Sequence, residues 1–254
     1  MINTKLSAIT YFVKTYFTVL PELLYRFTIG TLLNPQKTQA IIHQFLNSKD
    51  LVTKDKKIKT VEVTDYINAE LFDISLIGKY YISKSSETRN LKELASLAFL
   101  VKSIKPKAIF EFGTFVGRTT SLLALNTDDD CTIHTIDLPQ ADVQHIIGEE
   151  YKGKQFSKRI IQYNSDSRKF DFEKLLSKID FVWVDACHDY EFVKKDTENA
   201  FNICKPGGII AWHDYRPTAW WSGVTMCLRE LNKNKLNIHH INGTTIAFCI
   251  NQIK

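Results

Sequence analysis

Paired cysteines are missing from this sequence. Cys131, Cys187, Cys204, Cys227 and Cys249 make an odd number, and no two form a C-x-x-C pair. That pattern supports neither a zinc ribbon nor a disulfide framework, so reduced thiols and a cytoplasmic setting are expected. No uninterrupted apolar run reaches the roughly 18 residues a membrane-spanning helix needs, so no transmembrane segment is expected. No small-residue cleavage site follows a clean apolar block, so a signal peptide is not expected. Internal repeats are absent, and 10 Gly and 6 Pro exclude a collagen-like or low-complexity chain. Charge is nearly balanced: 33 Lys+Arg against 28 Asp+Glu leave a net +5. The basic residues form no stripe interleaved with aromatics, so no nucleic-acid partner is expected.

What is present suits a globular protein with a real core: 254 residues, 44% hydrophobic and 24% charged. Residues 1–88 read as a mainly helical N-terminal extension. Its first 33 residues are rich in apolar and aromatic side chains, interrupted by Lys14, Pro21, Glu22 and Arg26. They fit a pair of helices packed on the main domain or on a second subunit, as a lid or a homodimer contact. An interfacial helix on a membrane is the sharper alternative, and a polar face that is not notably basic counts against it. A further helix is expected from Thr38 to Asn47, then a solvated lysine-rich turn over 54–59.

From residue 89 strands and helices alternate. Leu91, Leu94, Leu97, Ala98, Val101 and Ile104 follow helical spacing, and Lys105-Pro106 ends that helix. Strands are expected at Ala108–Phe112, Thr132–Ile136, Arg159–Tyr163, Asp180–Val184, Gly208–Trp212, Leu236–Ile241 and Thr245–Ile250. Helices are expected at Gly117–Leu125, Ala141–Tyr151, Phe172–Lys178, Tyr190–Ile203 and Gly223–Leu231. Asn242-Gly243 joins the last two strands as a hairpin turn, a better reading than a glycosylation sequon. The pattern predicts an α/β fold over 89–254: a Rossmann-like, doubly wound, mostly parallel seven-stranded sheet closed by a C-terminal antiparallel hairpin. Ligands of such sheets bind beyond the carboxyl ends of the strands.

The polar motifs fall at those ends. Glu111-Phe112-Gly113-Thr114-Phe115-Val116-Gly117-Arg118-Thr119 links a strand to a helix, with Gly113 allowing a tight turn and Gly117 a close backbone approach. Its spacing is G-x-x-x-G, unlike the G-x-G-x-x-G of nicotinamide-binding folds. Asp137 ends the next strand, where a carboxylate can accept hydrogen bonds from ribose hydroxyls or cap a helix. Asp166, in Ser165-Asp166-Ser167, is placed to accept from an exocyclic amine of adenine, or belongs to a plain polar turn. Two further strands deliver Asp185 and His188, then His213 and Asp214, to one rim. Such a cluster suits an oxygen-preferring divalent cation or a general base.

In this order the motifs resemble the class I S-adenosylmethionine-dependent methyltransferases over residues 108–250. The likeness is to the branch of macrocin-type sugar O-methyltransferases and cephalosporin-hydroxylase-like proteins. The resemblance implies that Glu111, Gly113 and Gly117, with Thr114 and Thr119 on the same turn, hold the methionine part of S-adenosyl-L-methionine. It implies ribose binding by Asp137 and adenine-side contacts from Asp166 and Ser167, with Asp185 closing the cofactor site. The family's Asp-Gly-x-His-x-Tyr motif appears as Asp185-Ala186-Cys187-His188-Asp189-Tyr190, with Ala186 for glycine. Metal-using relatives place acids where Asp185, His213 and Asp214 stand here, which implies Mg2+ or another divalent cation, softened by the imidazole. Methyl transfer to a hydroxyl of a small-molecule or glycan acceptor follows, with Asp185, His188 or His213 as the base. Tyr215, Arg216, Trp220 and Trp221 either wall the acceptor site or pack the next helix. A nicotinamide-dependent oxidoreductase and a non-catalytic cofactor-binding scaffold are the alternatives. The glycine spacing opposes the first, and the row of acids opposes the second.

Overall fold

The computed structural model describes residues 58–66, 73–76, 91–217, 219, 222–233 and 236–252. The helices expected within residues 1–47, and Trp220 and Trp221, lie outside these. One eight-stranded sheet organises the described chain, in the order β1-β7-β8-β6-β5-β2-β3-β4. Its strands are β1 (Lys59–Val61), β2 (Ala108–Phe112), β3 (Thr132–Asp137), β4 (Ile160–Asn164), β5 (Ile179–Val184), β6 (Cys204–Trp212), β7 (His239–Ile241) and β8 (Ala247–Ile250). Only β8 runs antiparallel, against β6 on one side and β7 on the other. Seven strands match the expected set. The eighth, β1, pairs in parallel with β7 and comes from the stretch assigned to the N-terminal extension. Three residues without alternating hydrophobicity carry too little pattern to be read as a strand.

Each central strand is apolar on both faces, as a doubly covered parallel sheet requires. Ile109, Phe181, Trp183 and Ala211 face α1 (Leu91–Ile104) and α2 (Arg118–Leu125), where Leu97, Val101, Leu122 and Leu123 pack on them. Phe110, Phe112, Val182, Val184, Ile210 and Trp212 face α3 (Tyr190–Ile203) and α4 (Gly223–Lys233), against Val193, Ala200, Ile203 and Leu228. Burial of each such large side chain contributes about 1.5–3 kcal/mol. Ser222 starts α4 by accepting from the Thr225 backbone N–H at 3.2 Å.

Two expected helices do not form. Residues 141–151 make a single 3-10 turn, Gln140–Asp142, followed by irregular backbone. The Gln140 side chain takes the Ile147 N–H and gives to the His145 carbonyl, while Gly148 and Glu150 donate to Phe115 and Val116. These bonds replace the i to i−4 ladder, and Gly148 at φ 67° breaks the helical path. Residues 172–178 reduce to a 3-10 turn, Glu173–Leu175, because Ser177 (φ 52°) and Lys178 donate to Asn202 and Ile203 at the end of α3. No helix among the described residues is long and apolar enough to cross a membrane.

Candidate active site

The chain runs from β2 outward through β3 and β4, then returns to lay β5 on the other side of β2. This reversal opens a crevice at the carboxyl ends of β2 and β5. The strand ends are stitched across it. Gly113 N–H donates to Ile136 O, Ser165 to Asp137 O, Asp185 to Phe112 O and His213 to Val184 O, all at 2.8–3.1 Å. Gly113 has φ 94°, and a Cβ there would lie 2.2 Å from the Asp185 carbonyl oxygen. Only glycine allows β2 to turn this close to β5.

A cavity of about 470 Å³ fills the crevice. Among the expected cofactor residues, Gly113, Thr114, Thr119, Asp137, Ser167 and Asp185 line it, as does His188. Asp137 accepts from the Phe115 N–H at 2.6 Å and the Leu138 N–H at 2.8 Å. Phe115 holds φ 49°, an uncommon conformation for a bulky side chain, and its ring lies 4.3 Å from that of His145. Both rings border the cavity.

Three expected residues sit elsewhere. Glu111 is fully buried under the turn, accepting from Thr120 at 2.5 Å and Thr135 at 2.7 Å. It braces β2 against α2 and β3 from behind the cavity wall. Gly117 starts α2 at φ 86°, and its missing side chain makes room for the Tyr151 ring, which a Cβ would meet at 2.5 Å. Asp166 turns to Arg168, with Oδ1 to Nε at 2.9 Å and Oδ2 to Nη2 at 2.6 Å. That guanidinium holds the Asp166 carboxyl down at about 2.

At the β5 and β6 ends lies a chain of alternating acids and imidazoles. His213 is placed between carboxylates on both sides: Nδ1 is 3.0 Å from Asp185 Oδ1 and 3.1 Å from Asp214 Oδ2, and Nε2 is 3.0 Å from Glu93 Oε1. Burial by itself would lower the His213 pKa; the Asp185 charge and hydrogen bonds from Asp185, Asp214 and Glu93 reverse this and raise it to about 11. A protonated imidazole here donates both of its N–H groups to these carboxylates. Burial likewise opposes ionisation of Asp214, and the hydrogen bond and charge of His213 hold it well below the usual carboxylate range. Asp214 adopts φ 58°, which a short polar side chain tolerates.

His188 is the more open imidazole, with Nε2 3.2 Å from Asp214 Oδ2 and 4.0 Å from Asp185 Oδ1. Asp185 and Asp214 together raise its pKa above the ordinary value. Asp185, His188 and Asp214 each bring a donor atom within 4.8 Å of the others, so among the described residues the metal-competent trio contains His188 where His213 was expected. Tyr215 is fully buried in the core beside His240 and does not wall the site. Arg216 pairs with Asp214 at 2.9 Å.

Two carboxylates escaped sequence reading. Glu93 is 7% exposed and also accepts from the Thr245 N–H and hydroxyl at 2.7 Å. Asp196 is 1% exposed and lines the cavity. The available signal was an acid on a buried helical stripe: Glu93 precedes Leu97 by four, and Asp196 follows Val193 by three and precedes Ala200 by four.

Residues 110–215 match a family model for the methyltransferase domain. No curated protein sequence matches significantly. Among solved structures, a SAM-dependent O-methyltransferase from Thermotoga maritima is similar at a TM-score of 0.52 and 13% identity, covering 71% of this chain and 72% of its own. An O-methyltransferase from Bacillus cereus, solved in complex with SAH, is similar at a TM-score of 0.50 and 16% identity, over 83% of this chain and 97% of its own.

Proposed function

We propose that this chain is a class I S-adenosylmethionine-dependent methyltransferase that transfers the cofactor's methyl group to a hydroxyl oxygen of a small molecule or glycan. The observation that carries this reading is one crevice lined by both Asp137 and the Asp185–His188 pair. The Gly113–Phe115 turn and Thr119 receive the methionine part. Asp137 receives the ribose: a carboxylate offers about four acceptor sites, and two are used by backbone N–H groups. The adenine lies toward Ser165 and Ser167. Both similar enzymes are O-methyltransferases, which supports oxygen as the acceptor atom.

When bound, S-adenosylmethionine would supply an activated methyl group for displacement by the acceptor oxygen, with S-adenosylhomocysteine as the leaving group. The proton of the acceptor hydroxyl would pass to the His188 imidazole at Nδ1, the ring nitrogen that does not face Asp214. His188 is the open imidazole of the site, and Asp214 steadies the cation it becomes. His213, already a cation, positions Asp185 and Asp214. General-base help of this kind is worth on the order of 10²–10⁴-fold.

A second reading rests on the Asp185, His188 and Asp214 donor set. Mixed carboxylate and imidazole donors suit a divalent cation, which would lower the acceptor hydroxyl's pKa. The His213 cation 3.0 Å from Asp185 opposes it. The cytoplasmic setting and the homodimer belong to the same proposal; Cys131, Cys204, Cys227 and Cys249 are buried and free, in keeping with a reducing compartment.

Calorimetry with S-adenosylhomocysteine, and tritiated methyl transfer to a panel of sugars, sugar nucleotides and phenols, test the reading. His188→Ala is expected to keep cofactor affinity and lose roughly 10²–10³-fold in turnover. Full turnover in that variant would remove His188 from the chemistry. Activity that survives exhaustive chelation supports the base; activity lost and restored by Mg2+ or Mn2+ supports the metal.

A further inference from the structure

Sheet order gives the crevice a direction. From β5 and β2, where Asp185 and Gly113 stand, it passes β3 with Asp137 and reaches the turn after β4 with Ser165 and Ser167. At that last position α3 contributes two side chains to the wall, Phe192 and Asp196. Asp196 Oδ1 accepts from Ser167 Oγ at 2.6 Å, and its other oxygen makes no hydrogen bond among the described residues. A buried carboxylate on a cavity wall, with one oxygen lacking a hydrogen bond among the described residues, calls for a donor from a ligand. Burial raises its pKa to about 6, which leaves it mostly ionised and acceptor-only above neutrality.

The cofactor reading of this cavity supplies one fitting donor. Its amino acid part belongs at β2 and β5 and its ribose at Asp137, which leaves the exocyclic amine of adenine for the β4 end. Asp166, the acid expected there, is locked to Arg168 and does not line the cavity. Arg168 in turn sits 4.0 Å over the Phe192 ring, and neither Asp166 nor Arg168 lines the cavity.

We propose that Asp196, reaching in from α3, selects the adenine base by accepting a hydrogen bond from its exocyclic amine, in place of Asp166. The proposal rests on the cavity being the S-adenosylmethionine site. A base with a 6-oxo group there would set oxygen against oxygen.

The test is calorimetric binding of S-adenosylhomocysteine and of S-inosylhomocysteine, which carries the 6-oxo group, to the full chain. The wild type is expected to prefer the adenine ligand by roughly 10- to 100-fold. Asp196→Asn keeps an acceptor for Ser167 and presents an amide donor, so the preference should shrink at least about tenfold. Asp166→Asn should leave it within about twofold. Because the ratio is read on one sample, misfolded chains change stoichiometry and not the ratio. Asp196→Ser, which withdraws the acceptor, should lower the preference similarly and serves if the Asn variant is insoluble. An unchanged ratio in the Asp196 variants, or a ratio that moves with Asp166→Asn, overturns the proposal. Failure of the wild type to bind either ligand overturns the cofactor reading and the proposal together, and is a distinct result.

Discussion

Replacing Gly113 by alanine tests the contact that makes the crevice. Two costs act on this variant. Gly113 has φ 94°, and a left-handed backbone costs an L-residue about 1–2 kcal/mol. The added Cβ would also sit 2.2 Å from the Asp185 carbonyl oxygen and 2.8 Å from Ala186 Cα. Both neighbours are backbone, so no side chain can swing aside. The β5 end must move, an overpacking cost of typically about 1–3 kcal/mol. The sum is about 2–5 kcal/mol. Gly207 is the control: it has φ 82°, and nothing lies within 4 Å of its added Cβ. Gly207→Ala should therefore cost only the backbone part, about 1–2 kcal/mol. Guanidinium unfolding followed by fluorescence of the buried Trp183 and Trp212 measures both variants. Gly113→Ala should also weaken S-adenosylhomocysteine binding, because displacing β5 moves Asp185, whereas Gly207→Ala should not. Equal destabilisation with unchanged binding would refute the claim that this close approach builds the site.

The His213 network predicts an alkaline limb. A folded pKa near 11 against an ordinary value of about 6.5 means the stability from its charge is fully present below pH 6.5. That stability is lost as pH rises toward 11, at about 1.4 kcal/mol per pH unit. Thermal melts of the wild type should show this fall between pH 7 and 10, and His213→Gln should flatten it; parallel slopes would refute the cation. Glu93→Ala leaves that cation short of one carboxylate and strips the acceptor from Thr245, so it should cost about 3–5 kcal/mol. Chemical unfolding reads this directly, and a loss under about 1 kcal/mol would show that Glu93 is not part of the pair.

Strand and helix identities from Leu91 onward were legible because their signals are local. Ala108–Phe112 and Tyr190–Ile203 carry the hydrophobic period and the breaker residues of their own elements, and their bounds coincide with those observed. Strand ends could be recognised in the same way, and with them Asp137, Asp185, His188 and Asp214 as polar residues delivered to one rim. Residues 141–151 were misread because the adjacent Gln140 side chain, and the Phe115–Val116 backbone distant in sequence, took the hydrogen bonds a helix needs. The same limit governs the site. The protonation of His213, the turn of Asp166 to Arg168, and the inward turn of Glu93 and Asp196 are set by neighbours 2 to 152 residues away. Periodicity says that an acid will be buried; only the folded chain decides which donor it meets, because a charge taken out of water takes its state from whatever lies within a few ångströms.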